Sequence, residues 1–160
     1  MDRGNEQWLQ AHGLLLTDSY RRATGCALLP EAPVDGSEER APASLEARLN
    51  EAPFVLLSHG TEEDPVLNYG NRAALALWET DWETFTSMPS RLTAEPMDRE
   101  ERERLLDEVR RQGYSDAYQG VRISRSGRRF RIERAVIWNL TDADGTYMGQ
   151  AAMFPGWTPL

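Results

Sequence analysis

Three alternating apolar runs, separated by two tight-turn signals, close the sequence and restrict its fold more than anything upstream. The runs are Gln119–Ser124, Arg128–Leu140 and Thr146–Phe154, broken by Arg125-Ser126-Gly127 and by a segment ending in Asp144-Gly145. Ser-Gly and Asp-Gly between alternating runs mark hairpins, so the three read as consecutive antiparallel strands. In the middle run Phe130, Ile132, Val136, Trp138 and Leu140 share one parity, and Arg129, Arg131, Glu133 and Asn139 the other. That pattern predicts one buried and one wet face, a sheet covered on one side only. Arg134 falls on the apolar side. Either a bulge near Glu133–Ala135 turns it to solvent and brings Ala135 and Ile137 inward, or its guanidinium enters the interior to meet an acidic side chain or an acidic ligand.

The upstream two-thirds read as helices and one further hairpin. Residues 5–24 form a helix capped by Asn5 and stopped at Gly25, with Trp8, Leu15, Leu16 and Tyr20 on one stripe. That stripe must lie on the sheet or pair with a second copy, and it predicts a homodimer. His12, on the same stripe, reads as a packed histidine, since no second ligand has metal spacing. Pro30 to Leu45 is a linker, with three prolines, a glycine and few large apolar groups. Ser44 then caps a short helix, Leu45–Asn50. Phe54–Ser58 and Val66–Tyr69 form a strand pair. Asn71 caps a helix carrying Ala74, Leu77 and Trp78, and Asp81 caps one carrying Trp82, Phe85 and Met88. A helical turn follows over Pro89–Glu95. Asp98, with Glu101 as a capping box, opens the longest central helix, which Gly113 ends.

Composition excludes several classes of function. The chain has 160 residues and a net charge of −8, which disfavours nucleic acid and anionic membranes. All 18 basic residues are arginine, and those at 122, 125, 128, 129, 131 and 134 cluster, yet Glu133, Asp142 and Asp144 dilute them. A single cysteine, Cys26, permits no intrachain disulfide and fits a reducing cytoplasm. Nothing reads as a leader or a long apolar span, so the expectation is a soluble cytoplasmic protein.

Helix, linker, two strands, short helices, a longer helix and three strands is the order of a PAS-type α+β fold. The segment Val66-Leu67-Asn68-Tyr69-Gly70-Asn71-Arg72-Ala73-Ala74 looks like the PAS passage from strand through Asn into helix. The runs NYGNRAALALWE, PSRLTAE and GVRISRSGRRFRIERAVIWNLTDADGTYMGQAAMF together resemble the MEKHLA domain family, and the likeness reaches upstream to His12–Leu29. The six-letter string that names the family is absent, as are a homeodomain and a zipper, so DNA binding does not carry over. The resemblance implies a five-stranded antiparallel sheet in the order 2-1-5-4-3, covered on one face by helices. Residues 1–29 would be a helical extension, 30–45 the linker and 46–160 the PAS-like MEKHLA domain.

It also implies a sensory or regulatory module, without catalysis, that binds a small ligand between sheet and helices or contacts a signalling partner. Tyr69, Trp78, Phe85, Arg134, Trp138 and Gln150 are the ligand-binding candidates. Trp78 and Trp138 read first as core, because the apolar faces of both elements already demand bulk. Gln150 stands where flavin-binding relatives use a glutamine, yet it reads first as a strand residue on the solvated face. No thiol matches the flavin-adduct position, where Ser90 falls, and 98–112 holds no axial histidine for haem. His59 reads as a surface residue. The cofactor stays open, and a flavin or haem sensor is the weaker alternative. The other alternative is an interaction domain whose interior is filled by its own side chains. No catalytic constellation and no metal site is legible.

Overall fold

The computed structural model describes residues 5–29, 44–93 and 99–160. Most of the linker expected over Pro30–Leu45, and Asp98 with its capping box, lie outside the described residues. Five strands form one antiparallel sheet in the order β2-β1-β5-β4-β3, as the resemblance implied. They are β1 (Val55–His59), β2 (Leu67–Gly70), β3 (Tyr114–Ile123), β4 (Arg129–Thr141) and β5 (Tyr147–Phe154). A sixth, β6 (Gly156–Pro159), pairs with the first half of β4. Helices α3 (Arg72–Leu77), α4 (Trp82–Phe85) and α5 (Arg99–Gln112) and a 3₁₀ turn (Ser90–Thr93) separate β2 from β3.

Local chemistry places these boundaries. Asn71 and Asp81 cap α3 and α4 by accepting the amides of Ala74 and Thr84, donors that helix starts otherwise leave unpaired. Gly113, at φ +84°, ends α5 and turns the chain straight into β3. Asn71 does more than cap. Fully buried, it donates from Nδ2 to the carbonyls of Leu49 and Phe54, at 3.1 and 2.9 Å. Its Oδ1 accepts from the amides of Leu56 and Ala74, both at 3.1 Å. One side chain thereby joins α2 (Leu45–Asn50), β1 and α3.

The sheet is covered on both faces, which corrects the one-sided expectation. One core holds Trp78, Phe85, Val109, Phe130, Ile132, Ala135, Ile137 and Phe154, beneath α3, α4 and α5. A second holds Leu16, Tyr20, Leu49, Leu56, Tyr69, Val136, Trp138 and Leu140, beneath α1 (Glu6–Thr24) and α2. The bulge in β4 explains why one strand serves both. Against β3, Ala135 pairs with Tyr118 and Ile132 with Gly120, so β4 holds one residue more than its partner. Phe130 and Ile132 therefore share a face with Ala135 and Ile137, whereas Val136, Trp138 and Leu140 turn to the opposite face. An extra residue reverses every later side chain, because the strand period is two.

Arg134 sits in that bulge at φ +53° and is exposed, so the solvent alternative is the correct one. A left-handed backbone costs a non-glycine residue about 1–2 kcal/mol. Arg134→Gly is accordingly expected to raise stability by about 0.5–1 kcal/mol, after allowing for glycine's greater chain entropy. Urea unfolding followed by tryptophan fluorescence checks the sign.

The stripe on α1 lies on the chain's own sheet. Leu16 is fully buried, Tyr20 meets Trp138 edge-on at 4.9 Å, and Trp8 and Leu15 pack beside them. These four residues, expected at a dimer interface, are thus engaged within one chain. His12 is buried with its ring stacked on Trp8 at 4.5 Å. Its Nε2 meets Ser58 Oγ at 2.8 Å, and that hydroxyl donates its proton to Asn68 Oδ1 at 2.6 Å. Ser58 can then only accept from the ring, which makes His12 Nε2 the donor. Farther along, Ser19 Oγ accepts the amide of Thr141 at 2.9 Å and donates to its carbonyl at 3.1 Å. Polar bonds thereby set where along the sheet the helix lies.

Candidate functional site

A cavity of about 100 Å³ lies between the sheet and its first helical layer. Leu57, Ala152 and Ile137 form part of its floor on β1, β5 and β4, neighbours in register. Leu67, Phe154, Ile132 and Trp78 continue the apolar wall. Its polar side chains are His59, Gln150, Ser90, Thr93 and Arg122. None of the lining residues is acidic, and Arg122 is the one permanent charge among them.

Trp78 is the residue the site is built around. It is 2% exposed and ends α3, whose start Asn71 holds. Phe130 and Phe154 meet its ring edge-on at 5.4 and 6.1 Å, while Phe85 lies tilted at 6.1 Å. Its Nε1 donates to the carbonyl of Thr93 at 3.3 Å, linking the ring to the 3₁₀ turn. A second cavity, about 180 Å³, is bounded by Trp78, Thr80, Met88, Leu92 and Arg125 among others. The indole therefore stands between two hollows.

The next residue, Glu79, has φ +57° and clamps the β3–β4 turn. Its carboxylate accepts from Ser124 Oγ at 2.6 Å and from Ser126 Oγ, and faces Arg128 at 3.5 Å. Those hydroxyl bonds, more than the arginine, hold its acidity below the ordinary carboxylate range.

The polar end of the cavity is a row across three strands. Gln150 pairs with His59 on one side and with Asn139 on the other. His59 Nδ1 lies 2.9 Å from the Gly60 carbonyl, which can only accept, so Nδ1 carries a proton. The Gln150 amide donates to Asn139 Oδ1 at 3.4 Å, which leaves its own oxygen available. Gly149, at φ +134°, lets β1 approach here, since a Cβ on it would lie 2.1 Å from the His59 carbonyl oxygen.

Of the six ligand candidates read from the sequence, the structure brings Trp78 and Gln150 to this cavity. Gln150 faces inward, not to the solvated face that its polarity predicts. Phe85 packs behind Trp78, where a Cβ on Gly70 would meet its ring at 2.5 Å. Tyr69 and Trp138 lie on the α1 side of the sheet, since bulges in β2 and β4 shift their register. Burial pushes the Tyr69 phenol well above its ordinary pKa. Its hydroxyl and Trp138 Nε1 have no hydrogen-bond partner among the described residues. Arg134, being exposed, lies outside the cavity, which corrects the role expected of it.

Arg122 and His59 are the residues that sequence reasoning missed. Val121 and Ile123 mark the outer face of β3, half-buried, while Gly120 and Arg122 pair with Ile132 and Phe130 on the inner one. Parity in this strand therefore runs opposite to polarity, and no alternation could have disclosed Arg122. Among the described residues, no group of three His, Cys, Asp or Glu is placed to hold a metal ion.

A sheet in the order 2-1-5-4-3 with helices between its second and third strands is a PAS-like α+β fold. The chain aligns with the PAS domain of a protein from Colwellia psychrerythraea at 12% identity and a TM-score of 0.58, covering 71% of this chain and 92% of that one. A light-oxygen-voltage domain studied with a flavin analogue aligns at 14% and 0.56, covering 74% and 85%. The photo-excited blue-light photoreceptor Vivid aligns at 14% and 0.55, covering 90% and 92%. No curated protein matches. The family profile described as the MEKHLA domain matches residues 10–159, and the chain belongs to that family.

Proposed function

We propose that this chain is a PAS-like sensory module that reports the binding of a small ligand between its sheet and helices, without catalysing a reaction. The observation that carries the reading is the cavity beside Trp78, with Arg122 and the His59–Gln150 row among its walls. A few directed polar groups among apolar walls is the usual make-up of a ligand site. At about 100 Å³ it is well below the roughly 300–1,000 Å³ of sites for drug-sized molecules, so the ligand is small. A three-ring flavin is larger than a cavity of about 100 Å³ accepts. Cys26 is exposed near the end of α1 and does not line the cavity. The likeness to light sensors thus brings the fold here and not their photochemistry.

The cavity also favours this reading over an interior filled by its own side chains. A cytoplasmic setting suits the lone exposed cysteine, and no helix among the described residues is long and apolar enough to cross a membrane. A homodimer through Trp8, Leu15, Leu16 and Tyr20 belongs to the proposal as an exchange of α1 between two copies, since one chain already covers that stripe.

Native mass spectrometry of the purified protein is expected to show a small co-purifying mass. Ala152→Leu, which fills the floor of the cavity, should remove that mass with little change in thermal midpoint. A wild-type protein that carries no added mass and takes none from a metabolite extract would leave the self-filled interaction domain as the better reading.

A further inference from the structure

We propose that the ligand is a small organic carboxylate whose charge is held by Arg122. This rests on the ligand-binding reading above and goes further by naming the chemical class. Arg122 pairs in register with Phe130, so its side chain leaves β3 on the inner face of the sheet. The guanidinium lies 5.2 Å from the centre of the Tyr118 ring, and Nη1 donates to the Tyr118 hydroxyl at 3.2 Å. Ring and hydroxyl hold the group in place without neutralising it. Arg122 makes no ion pair among the described residues, although the chain carries 26 acidic side chains against 18 basic ones.

A half-buried cation walled by apolar groups is costly unless an anion or strong acceptors meet it. The other arginines of the same hairpin contrast with it. Arg128 faces Glu79, while Arg131 and Arg134 are exposed to water. A guanidinium presents a planar fork of donors that fits the two oxygens of a carboxylate, and such charge-assisted pairs are about twice as strong as neutral ones. The walls that follow it, Ile132, Ile137, Phe154 and Trp78, suit the hydrocarbon part of the acid. No lining residue is acidic, so nothing in the cavity repels the carboxylate.

Hexanoate and its neutral isostere hexanamide separate charge from shape. Calorimetric titration at neutral pH is expected to show hexanoate binding at least about tenfold more tightly than hexanamide, the loss of one charge-assisted contact. Arg122→Gln should lower hexanoate to the level of the amide, and Arg122→Lys should restore part of the difference. Circular dichroism confirms that each variant is folded. Equal binding of acid and amide would overturn the carboxylate assignment and leave the cavity as a ligand site. Hexanoate affinity that survives Arg122→Gln would overturn it as well. So would a co-purifying mass identified as a neutral compound, or no binding of hexanoate to protein that does carry a co-purified ligand. Absence of both hexanoate binding and any co-purified mass would instead count against the parent reading.

Discussion

Asn71→Ala is expected to cost about 4 kcal/mol, a large share of the stability of a domain this size. The substitution removes a helix cap worth about 1 kcal/mol. It also strands the carbonyls of Leu49 and Phe54 and the amide of Leu56, which the side chain now satisfies inside the protein. Each buried polar group left without a partner costs about 1–3 kcal/mol. Whole domains are held by only about 5–15 kcal/mol, so a loss of this size dominates. Asn71→Asp separates the two contributions, because it keeps the acceptor for Ala74 and Leu56 but turns an oxygen toward two carbonyls. It should be at least as damaging as alanine. Denaturant midpoints of the three proteins measure this, and an Asn71→Ala protein within about 1 kcal/mol of wild type would show that the junction of α2, β1 and α3 does not depend on this side chain.

Gly149→Ala is the second large effect, at about 3 kcal/mol or more. The new methyl would lie 2.1 Å from the backbone oxygen of His59, and the φ of +134° is one that side-chain-bearing residues rarely adopt. Strain of this backbone type costs about 1–3 kcal/mol, and overpacking adds a similar amount. A backbone atom cannot step aside as a flexible side chain can, so β1 must part from β5 at this end. Because Gln150 and His59 pair at that place, ligand uptake should fall together with stability. Hydrogen exchange gives the local readout: amides around His59 and Gln150 should lose protection before those of β3 and β4. An alanine variant with wild-type protection there would mean that the strands tolerate the added atom.

Much of the fold was legible because its signals are local. Asn5, Ser44, Asn71 and Asp81 each cap the helix that follows, as their side-chain chemistry requires. Ser-Gly and Asp-Gly lie at the two hairpin turns. Long-range facts were less accessible. β6 has proline on both sides of Gly156-Trp157-Thr158 and no alternation, so nothing marks it as a strand. β3 begins at Tyr114, five residues before the alternating run, through polar Ser115 and Asp116. The resemblance singled out Gln150 for the site, and bulk on an apolar face drew attention to Trp78. Arg122 escaped because the apolar residues of its strand face outward. Arg134 drew notice as the residue that broke parity, yet the break recorded a change of face and not a binding group. Alternation alone predicts one parity for all of β4, and the bulge that reverses it places Trp138 on the face opposite the cavity.

The docking of α1 has a consequence for how the chain is made. Ser19 bonds to Thr141, 122 residues later in sequence, and Tyr20 packs on Trp138. The helix therefore emerges from the ribosome long before the strand that receives it. At roughly 5–20 residues per second, that interval lasts on the order of ten seconds. Through it Trp8, Leu16 and Tyr20 have no completed sheet to lie on. A helix with an uncovered apolar stripe for so long is a natural client for chaperones, and the same stripe on a neighbouring nascent chain is its nearest competitor for the sheet.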